Sequence, residues 1–287
     1  MEEITQIKAQ PGYQEKALSS GADIVIGGSA AGVGKTFCLL MDPLRDINTA
    51  DFGGVIFRRL TTQIKAEGGL WDESKKLYSI VGGTPNQTEL QWTFPSGAKI
   101  KFSHLEHEKN VTSWQGSQIP FIGFDELTHF SKETFFYLLS RNRSSCGVKP
   151  YIRATCNPDP DSWVYELVKW WIGDDGFPIE ERQGVIRYFI KDGDTMIWGS
   201  SIEELIKKAA YFIDPLVKAS GIAPKHFIKS ITFIGGSIYD NKKLLSKNPD
   251  YLANLAAQDD QTKLQLLDGN WKVSLNPSDI YNYNQFK

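Results

Sequence analysis

Residues 22–36 read "ADIVIGGSAAGVGKT". An apolar run of strand length ends in glycines, and a Gly-Lys-Thr triplet then opens "KTFCLLMDPLRDI" (35–47), whose apolar residues fall at helical spacing. Pro43 is expected to bend or end that helix, because it lacks an N–H and clashes with the preceding turn. A phosphate-binding loop has the spacing G-x-x-x-x-G-K-[ST] between a strand and a helix. Here the residue five before Gly34 is Ser29, and the nearest upstream glycine, Gly28, lies one position too far. The departure touches only the first turn, which Ser29 is expected to make if Gly28 supplies the conformational freedom. The second half of the motif is intact. Backbone N–H groups from Ser29, Ala30, Ala31, Gly32, Val33 and Gly34 are candidates to face phosphate oxygens, Lys35 to reach the β- and γ-phosphates, and Thr36 to coordinate Mg²⁺. The alternative is a glycine turn with no ligand.

Outward from the loop, short apolar segments alternate with helical ones. "GGVIFRRL" (53–60), "IPFIGFDEL" (119–127) and "PYIRATCNP" (150–158) read as strands. "ELQWTFPSGAKIKFSHL" (89–105) reads as a hairpin turning at "PSG", and "KETFFYLLSRN" (132–142) as a helix. This order predicts an α/β fold with a mainly parallel sheet covered by helices on both faces. Ligands of such sheets bind at the carboxyl ends of the strands. Residues 1–190 form the expected core. Residues 191–273, with the strand "SITFIGG" and the helical run "DYLANLAAQDDQTKLQLLDG", are expected to form a smaller subdomain packed on it, and the polar stretch 274–287 a linker.

A second chemical element follows the buried strand "FIGF". Asp125 is placed to support a metal's water shell, and Glu126 to orient and deprotonate an attacking water. Adjacent Asp-Glu favours an ATPase with an additional strand over a GTPase. Thr155 and Asn157, at the next strand end, could sense the γ-phosphate and relay its loss, or could form only an Asx turn. Gln14 in "GYQ" could hydrogen-bond an adenine edge, or lie on a helix surface. Arg58, Arg59, Arg141 and Arg143 are candidates for a phosphate-contacting finger or for DNA backbone contacts. "HLEHE" (104–108) contains H-x-x-H with no evident third ligand.

Composition bounds these readings. The chain has 287 residues, 41% hydrophobic and 23% charged, with a net charge of −2. Bulk attraction to nucleic acid is therefore excluded, and any such contact must be local. No apolar run approaches the ~18 residues of a membrane span. "MEEITQIKAQ" lacks the shape of a secretory signal, so the cytoplasm is the expected compartment. Cys38, Cys146 and Cys156 form no paired framework.

Taken in order, "GYQ", "GGSAAGVGKT", "GVIFRRLTTQ", "WQGSQIPFIGFDELTHF", "LSRNRS", "RATCNP" and the late "SITFIGGSIYDN…LLDGNW" resemble the large terminase subunit of tailed bacteriophages. The resemblance spans most of residues 10–273. It implies a RecA-like P-loop NTPase of the additional-strand type that uses ATP and Mg²⁺ to drive double-stranded DNA into a procapsid. It also implies a homo-oligomeric ring, with the portal protein and the small terminase subunit as partners, in the host cytoplasm. Carried over by position, Lys35 and Thr36 contact phosphate and Mg²⁺, Asp125 supports the metal, and Glu126 activates water. Thr155 to Asn157 match a coupling motif, Gln14 an adenine contact, and Arg141 or Arg143 an arginine acting on a neighbouring subunit's ATP. The family's second, nuclease domain has no counterpart cluster of acids after residue 273, so no DNA cleavage is expected of this chain. Two other readings stay open: a helicase of the same ATPase class, and a nucleotide-binding scaffold without turnover.

Overall fold

The computed structural model of the chain describes residues 7–273. Among these residues ten strands form one sheet: β1 (Ile24–Gly28), β2 (Gly53–Arg58), β3 (Thr84–Asn86), β4 (Gln91–Thr93), β5 (Lys99–His104), β6 (Phe121–Phe124), β7 (Tyr151–Cys156), β8 (Arg187–Asp192), β9 (Thr195–Gly199) and β10 (Lys229–Ile234). Their spatial order is β3-β4-β5-β2-β6-β7-β1-β10-β8-β9. The run β5-β2-β6-β7-β1-β10 is parallel throughout. An antiparallel pair closes each edge, β3-β4 beside β5 and β8-β9 beside β10. β7 stands between β1 and β6, so it is the additional strand separating the glycine-rich loop from the acid pair. The fold is a RecA-like P-loop architecture.

The helices are α1 (Tyr13–Ser19), α2 (Lys35–Met41), α3 (Thr61–Lys65), α4 (Leu70–Tyr78), α5 (Lys132–Leu139), α6 (Trp163–Val168), α7 (Ile202–Lys208), α8 (Ala210–Ser220), α9 (Lys242–Lys247), α10 (Pro249–Ala256) and α11 (Asp260–Thr262). α11 runs into a π-helical turn, Lys263–Leu267. Helix α2 ends at Met41 and a 3₁₀ turn containing Pro43 follows, as the proline requires.

Strand alternation sorts the core into layers. Ile24 and Ile26 of β1, Val55 and Phe57 of β2, and Ile122 and Phe124 of β6 pack with Phe135 and Leu138 of α5 and Val164 and Leu167 of α6. On the opposite face, Ile56, Phe121 and Ile100 pack against Leu39 and Leu40 of α2 and Trp71 and Tyr78 of α4. Both faces of the parallel run are thus covered, which accounts for the near-continuous apolar reading of these strands.

The C-terminal region differs from its expected form. The boundary expected at residue 190 falls inside β8, and β10 pairs with β1 over Ile24↔Ile231 to Gly27↔Ile234. Residues after 190 therefore complete the central sheet. Local apolar pattern identifies β10 as a strand, while its partner lies two hundred residues away in sequence, a relationship no local pattern encodes. Residues 238–271 fold back over the glycine-rich loop. Trp271, fully buried, packs edge-on to Phe233 with ring centroids 5.7 Å apart, and its backbone N–H donates to Gly176 O at 2.8 Å. The expected linker 274–287 lies outside the described residues. Among the described residues no helix is long and apolar enough to cross a membrane.

Candidate functional site

The loop leaves β1 and enters α2, so it sits at the carboxyl edge of the sheet. The conformational freedom resides in Gly32 (φ 77°) and Gly34 (φ 97°), both left-handed. Gly28, expected to supply it, is instead an extended residue of β1 paired with Cys156. Its lack of a side chain has a packing cause: a Cβ there would lie 2.4 Å from Trp271 Cζ2 and 2.6 Å from Phe233 Cε2. The unusual spacing is thus a strand residue under tight cover followed by a loop that turns at Gly32 and Gly34.

Two loop amides are engaged by protein. Ser29 N–H donates to Cys156 O at 3.3 Å, and Ala31 N–H donates to Leu266 O at 2.7 Å. Val33 is fully buried and so is Ala30. The first-turn amides of α2, including those of Lys35 and Thr36, have no intrahelical partner and remain available to an anion. Ser29 Oγ is buried with no hydrogen-bond partner.

Lys35 is buried and lies inside the loop. Its Nζ donates to Ser29 O at 2.5 Å, Ala30 O at 3.1 Å and Asn157 Oδ1 at 2.7 Å. Burial pushes the lysine's pKa down, and the charges of Glu126, Cys156 and Asp125 oppose that shift. Carbonyl dipoles here hold an ammonium that, among the described residues, has no carboxylate in direct contact.

The acid pair is built by β6 and its neighbours. Asp125 follows Phe124, and its N–H donates to Phe57 O at 2.9 Å. One carboxylate oxygen, Oδ1, accepts from Thr155 Oγ1 at 2.9 Å; the other, Oδ2, accepts from Arg58 Nη1 at 2.5 Å. Burial raises the Asp125 pKa, while Arg58 and the Thr155 hydroxyl pull it down. Glu126 takes a left-handed backbone conformation (φ 63°), uncommon for a residue with a side chain, and its N–H donates to Thr155 Oγ1 at 3.1 Å. That conformation turns its carboxylate toward Asn157, whose N–H donates to Oε2 at 3.1 Å and whose Nδ2 donates to Oε1 at 3.3 Å. Asn157 therefore bridges Lys35 and Glu126.

Gln14, on α1, is buried rather than on a helix surface. Its Oε1 accepts from Gln10 N–H at 2.9 Å, and its Nε2 lies 2.4 Å from where a Cβ on Gly34 would stand. A cleft of about 370 Å³ opens beside the loop, lined by Tyr13, Gly28, Ser29, Gly235, Ser237 and Gly269 among others. It has the size and position to take a purine.

Arg141 and Arg143 are not brought to this loop. Between them, buried Asn142 donates to Ile119 O, Pro120 O and Tyr151 O, which fixes the segment at the amino ends of β6 and β7. That is roughly 16 Å of strand from the loop end, at about 3.3 Å per residue. Arg143 donates to Gly116 O at 2.9 Å and Ser117 O at 3.2 Å, while Arg141 packs over the Tyr137 ring.

Three residues not singled out from sequence also meet the site, two at the loop and one at the end of β7. Asn241 Nδ2 donates to Gly32 O at 2.6 Å, and its Oδ1 accepts from Gln10 Nε2 and from Leu244 N–H as the cap of α9. An Asn before "KKLL" is a legible helix start, but its reach to the loop is not. Leu266 accepts from Ala31, and Gln265 Nε2 donates to Pro158 O at 2.8 Å.

The arrangement fits a nucleotide with a divalent cation. The loop carries a buried cation, an orphaned hydroxyl and free first-turn amides, and Thr36 and Asp125 are the residues that could hold the metal. Among the described residues no three His, Cys, Asp or Glu side chains gather as a metal-ligand set, so His104 and His107 gain no third partner. A magnesium ion held by phosphates, waters and one or two side chains needs no such set.

No curated protein matches the chain. Among solved structures, it resembles the large terminase of a thermophilic bacteriophage, at 13% identity over 92% of this chain and 54% of that one, with a TM-score of 0.56. A structure of the same phage terminase in complex with ATP-gamma-S matches at 13% identity, 92% and 53% coverage, and a TM-score of 0.51. The ATPase domain of the Thermus phage P74-26 large terminase matches at 11% identity, 90% and 92% coverage, and a TM-score of 0.52. At these identities the likeness carries the fold. The chain spans about half the length of the first of these terminases. The family described as "Terminase large subunit, T4likevirus-type, N-terminal" matches residues 26–287, and the chain belongs to it.

Proposed function

We propose that this chain is the ATPase motor of a viral DNA-packaging terminase, hydrolysing ATP to move double-stranded DNA into a procapsid. One observation carries the reading: Asn157 connects Lys35 of the loop to Glu126 of the acid pair. A glycine turn without a ligand has no need of that link.

The chemistry follows from the groups present. The base of ATP occupies the cleft beside Tyr13, and the phosphates lie over Gly32, Gly34, Lys35 and Thr36; Gln14 lies against Gly34, outside that cleft, and supports the loop. Lys35 exchanges the carbonyls of Ser29 and Ala30 for β- and γ-phosphate oxygens. Thr36 and Asp125 would hold Mg²⁺, which would supply positive charge against the negative charge developing on the phosphates. Glu126 orients a water and takes its proton as the water oxygen bonds to the γ-phosphorus and the bond to ADP breaks, leaving ADP and phosphate. The Thr155 hydroxyl fixes both acids, Asp125 by donating and Glu126 by accepting. Once Lys35 turns to phosphate, Asn157 loses one partner. Pro158, bonded to Gln265, then carries the change into the segment that covers the loop.

Arg141 and Arg143, remote from this chain's own loop, act on the ATP of a neighbouring copy in a ring. Duplex DNA, the portal protein and the small terminase subunit are the partners this function requires. The test is ATP hydrolysis with and without duplex DNA, alongside a strand-separation assay. Stimulated hydrolysis with the duplex left intact is expected. Unwinding would favour a helicase, and nucleotide binding without phosphate release a scaffold.

A further inference from the structure

Arg58 ends β2, and Asp125 follows the last residue of β6. Phe57 and Phe124 pair in register, so the two side chains emerge together at the carboxyl edge of the sheet. Arg58 Nη1 meets Asp125 Oδ2 at 2.5 Å, with 20% of the arginine side chain and 8% of the aspartate side chain exposed. The contact is single rather than forked. Arg58 Nε is buried without a partner, and Asp125 is the one hydrogen-bond partner of the guanidinium among the described residues. The aspartate does not depend on the arginine for its orientation, because Thr155 holds the other oxygen.

We propose that Arg58 stands in the divalent cation's place on Asp125 and gives way when the cation arrives with nucleotide. The inference rests on the functional reading in which Asp125 supports that cation. A buried carboxylate needs a counter-charge. Arg58 supplies it before nucleotide binds, through one contact that can be broken by side-chain rotation alone. The carboxylate stays aimed by Thr155, so Oδ2 is presented ready as soon as the guanidinium leaves. The cost is competition: the cation must displace a cation.

The test measures binding, not turnover. A fluorescent N-methylanthraniloyl ATP is titrated at increasing Mg²⁺ against the unaltered chain, Arg58→Gln and Arg58→Lys. Removing the competitor is expected to lower the half-saturating Mg²⁺ concentration about tenfold in Arg58→Gln, equivalent to about 1.4 kcal/mol. Arg58→Lys, whose shorter point charge still reaches the carboxylate less well, falls between. Without Mg²⁺, Arg58→Gln melts earlier than the unaltered chain, and Arg58→Gln with Asp125→Asn recovers part of that loss. Should Arg58→Gln fail to fold, Arg58→Lys carries the comparison. An unchanged or higher Mg²⁺ requirement in the variants would overturn the inference while leaving the nucleotide site intact. Failure of the unaltered chain to bind the analogue at any Mg²⁺ concentration would overturn the functional reading and this inference together.

Discussion

Asn157 grips Glu126 with two donors, its backbone N–H to Oε2 at 3.1 Å and its side-chain Nδ2 to Oε1 at 3.3 Å. The amide oxygen meanwhile accepts from Lys35 Nζ at 2.7 Å. An ammonium on one side and a carboxylate on the other dictate which way the amide points. Asn157→Ala removes the side-chain half of this bridge and leaves the backbone donor. ATP turnover is expected to fall roughly tenfold to a hundredfold, the scale on which a misplaced reacting group acts. Nucleotide affinity should change less than about threefold, because Lys35 keeps Ser29 O and Ala30 O to hold it near the loop. Steady-state kinetics beside equilibrium binding separate the two effects.

Thr155 Oγ1 both donates to Asp125 Oδ1 and accepts from Glu126 N–H. Thr155→Val keeps the shape and removes both bonds, which strands a buried acceptor and a part-buried donor. The unfolding free energy is expected to drop by about 1–3 kcal/mol, read as an earlier melting transition, and turnover to fall with it. A melting temperature equal to that of the unaltered chain would remove Thr155 from this role.

Gly28 is held against two aromatic rings. Gly28→Ala places a methyl where Trp271 and Phe233 already stand. Both rings are fully buried and cannot step aside, so overpacking should cost about 1–3 kcal/mol. Gly28→Ala with Trp271→Leu is expected to recover part of that loss. Denaturant melts of the single and double variants measure the coupling.

Asp23 ties three segments. Its Oδ2 accepts from Ser230 N–H at 2.9 Å, and its Oδ1 faces Lys149 Nζ at 2.5 Å. Burial would raise its pKa, but the Lys149 and Ser230 bonds outweigh burial and hold it below the usual carboxylate value. A depressed folded-state pKa contributes stability above the unfolded value of about 3.9 and loses it as pH falls through the folded value. The melting temperature of Asp23→Asn should therefore lie below that of the unaltered chain at neutral pH. The gap should narrow as pH is taken below about 4. A gap that stays constant through that range would mean the pair contributes packing rather than charge.

Much of the site could be read from local pattern. β1, β2, β6 and β7 are apolar because both their faces are covered, and each ends in residues proposed to carry chemistry. Gly34-Lys35-Thr36, Asp125-Glu126 and Asn157 therefore announce themselves at strand ends. Contacts made over long sequence distances were not legible in this way. "SITFIGG" declares a strand but not that it lies beside β1, and the polar "SIYDN" gives no sign that Asn241 reaches Gly32. In sequence Arg58 is one of four candidate finger or DNA-contacting arginines, and only the register of β2 on β6 brings it to Asp125. The spacing of the loop misleads for a related reason. Gly28 answers to Trp271, far along the chain, and the loop's own turn is made at Gly32 and Gly34.

The central claim is that Glu126 activates the water that attacks ATP. Phosphate release by Glu126→Gln, measured with saturating ATP, Mg²⁺ and duplex DNA, tests it most directly. Gln keeps the size and the contact with Asn157 N–H but cannot accept a proton. Turnover is expected to fall by about 10²–10⁴, the usual contribution of a positioned base, with binding of the fluorescent nucleotide retained. Turnover equal to that of the unaltered chain would contradict the account.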